Sequence, residues 1–132
     1  MLLALVCAAP RIAAADRPPS PRLPVKVHWS ADLSAGVTVA PLNDGERIYL
    51  ALRTAHVVAV SRTDGHELWR IGRNVTTPMH AAGGLLFFSA GDAIEAVRGN
   101  DGATAWLAPR LQATAPLVAG AAHLIVATDK EL

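Results

Sequence analysis

The sequence has one cysteine, Cys7, among 132 residues. A single thiol excludes an internal disulfide framework and any cysteine-built zinc or iron–sulfur centre within one chain. An excess of one charge is also missing, since 12 Lys+Arg stand against 11 Asp+Glu for a net charge of +1. Nothing is left over to neutralise a phosphate backbone or to hold the chain on an anionic membrane, which argues against a nucleic-acid partner. Aromatics make up only 5%, as Trp29, Trp69, Trp106, Tyr49, Phe87 and Phe88, so the core has to be packed mainly from Ala, Val and Leu. No apolar run approaches the roughly 20 residues that cross a bilayer as a helix, which excludes a transmembrane span of that kind. Hydrophobicity itself is plentiful: 52% hydrophobic against 17% charged residues excludes disorder over most of the length.

The apolar run Leu2 to Ala9 is followed by Pro10, Arg11 and Ile12 and then by Ala13, Ala14 and Ala15 before Asp16. Residues 1–15 read as a secretory signal peptide with an A-x-A cleavage site, although its n-region has no Lys or Arg. The expectation is an exported protein, periplasmic or extracellular. Val6 stands where a lipoprotein leader has a small residue, so Cys7 reads as an apolar leader residue and not as a lipid anchor. Residues 16–24 hold Pro18, Pro19, Pro21 and Pro24, a density that no helix or central strand tolerates. They read as an extended spacer.

From residue 25 onward the chain repeats. Trp29, Trp69 and Trp106 are 40 and 37 residues apart, and the stretches before the last two, Ala59 to Trp69 and Ala96 to Trp106, both read A-V-x-x-x-D-G-x-x-x-W without a gap. A proline follows each tryptophan (Pro41, Pro78, Pro116), then a glycine loop, then an apolar run. The apolar runs are short, rich in Val, Ile, Leu and aromatics, and bounded by Asp-Gly or Gly-Gly, which marks strands. Each repeat holds four, expected at Gly36 to Leu42, Arg47 to Arg53, His56 to Ser61 and Glu67 to Ile71, and again at Val75 to Ala81, Leu85 to Ala90, Ala93 to Arg98 and Ala103 to Ala108. Four short antiparallel strands every 37 to 40 residues form a propeller blade. The fold class is therefore all-β, an incomplete ring of four-stranded blades. Asp64-Gly65 and Asp101-Gly102 fit tight turns between third and fourth strands.

The pattern resembles the PQQ-type, quinoprotein-like β-propeller repeat, found in quinoprotein alcohol dehydrogenases and in the scaffold of the outer-membrane β-barrel assembly machinery. Ala59, Gly65 and Trp69, and again Ala96, Gly102 and Trp106, match that repeat in spacing, with Trp29 in phase as a third tryptophan. The repeat's usual Asp is replaced by Ser61 and Arg98, and its usual Thr by Asp64 and Asp101. The resemblance implies that each tryptophan packs between neighbouring sheets with its indole N–H on a backbone carbonyl. It divides residues 25–132 into a ring-closing strand at 25–30, blade one at 36–71, blade two at 75–108 and a partial blade three at 114–128. These 132 residues then read as the N-terminal fragment of a longer ring.

No catalytic, cofactor-binding or metal site is assigned. The five histidines lack the i, i+2 or i, i+3/i+4 spacings of metal sites and read as solvated polar positions. Asp64, Asp92 and Asp101 are explained by turns, and Glu46, Glu67 and Glu95 sit on or beside strands without an assigned partner. The resemblance offers two functions. One is a non-catalytic scaffold that presents loops to protein partners in the cell envelope. The alternative is part of a dehydrogenase, which implies pyrroloquinoline quinone and calcium held by an adjacent Cys-Cys pair, a Glu, an Asn and a catalytic Asp. None of those motifs can be placed here, so the scaffold is the expected reading.

Overall fold

The computed structural model describes residues 26–120 and 122–128. The expected signal peptide, the proline spacer, Cys7 and Val25 lie outside the described residues. Among those described there is no helix. Strands β1 (Leu42–Asn43), β2 (Arg47–Leu52), β3 (His56–Ser61) and β4 (Glu67–Gly72) form one antiparallel sheet in that order. Strands β5 (His80–Ala82), β6 (Leu85–Ala90), β7 (Ala93–Arg98) and β8 (Thr104–Pro109) repeat it, and β9 (Val118–Ala119) pairs with β10 (Leu124–Ile125). The two four-stranded sheets are propeller blades, the fold class read from the repeat.

The central strands are buried on both faces, which is why they read as continuous apolar runs and not as an alternation. Tyr49 and Ala51 of β2, Val57 and Ala59 of β3 and Trp69 of β4 face Leu86, Phe88 and Val97 of blade two, with Val75 and Met79 between. On the other side of blade one, Leu50, Leu52, Val58 and Val60 pack against Trp29, Ala35 and Val37. The far face of blade two, with Phe87, Ile94 and Ala96, is covered by Ala113 and Leu117.

Three local features differ from the sequence expectation. The first strand of each blade is reduced to a single bridge, Val37 to Leu52 and Val75 to Ala90, followed by the short β1 and β5. Pro41 and Pro78 lie in the interruptions, and a proline without N–H cannot extend a ladder. Next, residues 26–30 form no strand and pair with none of the described sheets; only the placement of Trp29 echoes the repeat. Finally, the Asp-Gly turns are wider than two residues. Gly65 N–H donates to Ser61 O and Gly102 N–H to Arg98 O, both at 2.8 Å, closing a turn in which each glycine is left-handed (φ 76° and 71°).

Both blades also carry a β-bulge at the same place. Ala59 pairs with Trp69 but Val60 with Glu67, and Ala96 pairs with Trp106 but Val97 with Thr104, so Leu68 and Ala105 are the extra residues. A bulge sharpens the local twist and re-aims the next side chain, here the tryptophan.

Candidate functional site

The A…G…W pattern resolves into two contacts. Ala59 and Ala96, both fully buried, are the cross-strand partners of Trp69 and Trp106 in their own blades, and a methyl group there leaves room for the indole's neighbours. The glycine serves the preceding tryptophan. Trp69 Nε1 donates to Gly99 O at 2.8 Å, and a Cβ built on Gly102 would lie 2.8 Å from Trp69 Cε3. Trp29 stands in the same relation to blade one: its Nε1 donates to Arg62 O at 2.8 Å, and a Cβ on Gly65 would come within 2.4 Å of its ring. Tyr49 lies 5.9 Å from Trp69 across their ring centroids, and Phe87 lies 6.0 Å from Trp106, so these two indoles also have an aromatic neighbour, on β2 and β6 respectively.

Two inward carboxylates escaped the sequence reading. Glu95 on β7 is 2% exposed and is gripped by Arg73, whose Nε and NH2 reach its two oxygens, the latter at 2.9 Å. Thr104 on β8 donates a third hydrogen bond at 2.6 Å. Burial pushes the Glu95 carboxyl up, but the bonds from Arg73 and Thr104 outweigh it and hold the group below the usual range. The signal was present in the repeat itself, since Glu95 occupies the position at which blade one has Val58. Asp44, after β1, accepts from Tyr49 Oη at 2.6 Å, from Arg47 NH1 at 3.2 Å and from the backbone N–H groups of Glu46 and Arg47. Burial raises the Asp44 pKa while these donors lower it further; the same burial, with Asp44 beside it, pushes the Tyr49 phenol well up.

Glu67 also has a partner, Arg70, at 2.7 Å, and Glu46 pairs with Arg47 at 3.0 Å. His80 departs from the solvated reading: it is half-buried, and its Nε2 donates to Ala119 O at 3.0 Å, tying β5 to β9. A groove of about 550 Å³ opens between the β1–β2 loop, with Asn43 to Arg47, and the β5–β6 loop, with Gly83 and Gly84. Among the described residues no group of three or more His, Cys, Asp or Glu is placed to hold a metal ion. No helix there is long and apolar enough to cross a membrane.

Blades locked by a tryptophan of one sheet on a turn glycine of the next define a propeller of the PQQ-type repeat class. The chain belongs to the family described as outer membrane protein assembly factor BamB, whose model matches residues 25–132. Among solved structures it is similar to BamB from Moraxella catarrhalis, at 18% identity and a TM-score of 0.60 over 70% of this chain and 30% of that one. A europium-containing methanol dehydrogenase is also similar, at 20% identity and a TM-score of 0.47 over 55% of this chain and 15% of that one. At that identity the likeness to the BamB structure shows the fold. The chain spans 30% of the length of the BamB structure. No curated protein matches the sequence.

Proposed function

We propose that this chain is part of an exported, non-catalytic propeller scaffold that presents loops and strand edges to protein partners in the cell envelope, in the service of outer membrane protein assembly. Family membership supports the setting. The observation that carries the scaffold reading is how the distinctive residues are employed. The recurrent Ala, Gly and Trp are used within and between blades, and the inward carboxylates Asp44 and Glu95 are already saturated by Tyr49, Arg47, Arg73 and Thr104. Such a frame is stiff, and its loops are free to vary and bind. Neither Asp44 nor Glu95 fits a calcium ion or a quinone without giving up those partners, so in this reading the chain binds neither pyrroloquinoline quinone nor calcium.

The test is site-specific photo-crosslinking in the envelope with the intact protein, the crosslinker placed at Glu46 or Asn100 on exposed loops. Discrete protein adducts are expected. Quinone-dependent alcohol oxidation by the intact protein, with no adduct at either loop, overturns the reading. Export is checked separately by mass spectrometry of the mature N-terminus, expected at Asp16; a product beginning at Met1 in the cytoplasmic fraction refutes it.

A further inference from the structure

We draw no further inference here: the strongest candidate, the groove between the β1–β2 and β5–β6 loops, carries nothing, because its carboxylates Asp44 and Glu46 are both paired with Arg47 and nothing in the structure shows what covers it.

Discussion

The ring of Trp69 lies so close to Gly102 that a Cβ on that glycine would stand 2.8 Å from indole Cε3. Gly102 is also left-handed, at φ 71°. Two independent demands therefore fall on one residue. Gly102→Ala is expected to cost about 1–2 kcal/mol for the backbone and a further 1–3 kcal/mol for the clash. Gly83 has a similar φ of 59° with nothing within 4 Å, so Gly83→Ala is expected to show the backbone cost alone. Thermal unfolding of the two variants separates the effects; equal losses contradict the seat.

Trp69→Ala is expected to destabilise the protein by roughly 3–5 kcal/mol through the cavity between blades. Trp69→Phe keeps part of the volume and loses the bond to Gly99, and its smaller drop in melting temperature is the check. An unchanged melting temperature in the alanine variant refutes a packing role.

Arg73→Ala leaves Glu95 buried without its charge partner and is expected to cost about 3 kcal/mol, the low end for a broken buried pair because the Arg73 side chain is 39% exposed. Glu95→Val restores the residue of blade one at that position and is expected to cost less. Chemical denaturation of both variants decides; a valine variant weaker than Arg73→Ala contradicts the argument.

Acid acts through the same pair. The folded Glu95 pKa lies below the ordinary glutamate value of 4.5, so its contribution is complete above about pH 4.5 and is lost as the pH falls through the lowered folded value. Asp44, lowered from 3.8, adds to the loss at still lower pH. In Arg73→Ala burial dominates and pushes the Glu95 pKa up, so the sign reverses for that group, and acidification from pH 6 to 4.5 relieves the variant. Melting temperature against pH from 6 to 3 for both proteins is the measurement, and parallel curves refute the assignment.

Ala55, in the β2–β3 turn, is left-handed at φ 57° without being glycine. Ala55→Gly is expected to stabilise by roughly 0.5–1 kcal/mol, the relief of that conformation exceeding the entropy lost by glycine. A lower melting temperature for the variant contradicts this.

The blades were legible because strand runs of Val, Ile and Leu are punctuated by Asp-Gly and Gly-Gly, and because Ala, Gly and Trp recur in fixed phase. The partnership of Trp69 with Gly102 was not, since within each motif the glycine precedes its own tryptophan and serves the one before. The interrupted first strands turned on how far the ladder tolerates Pro41 and Pro78, which periodicity does not reveal. Glu95 and Arg73 are 22 residues apart with no shared motif, and only superposing the repeats, which sets Glu95 on Val58, exposes the anomaly. His80 was misread because its half-burial comes from β9, a strand of the next sheet.

The bulge before Trp69 and the turn glycine that receives its indole lie within about one repeat of each other: the indole bonds span 33 residues for Trp29 and 30 for Trp69. Everything needed to attach one blade to its neighbour is thus encoded in a single tandem unit and its successor. Duplicating or deleting one such unit conserves the tryptophan–glycine attachment, so the gene can change the number of blades by whole steps while keeping that lock.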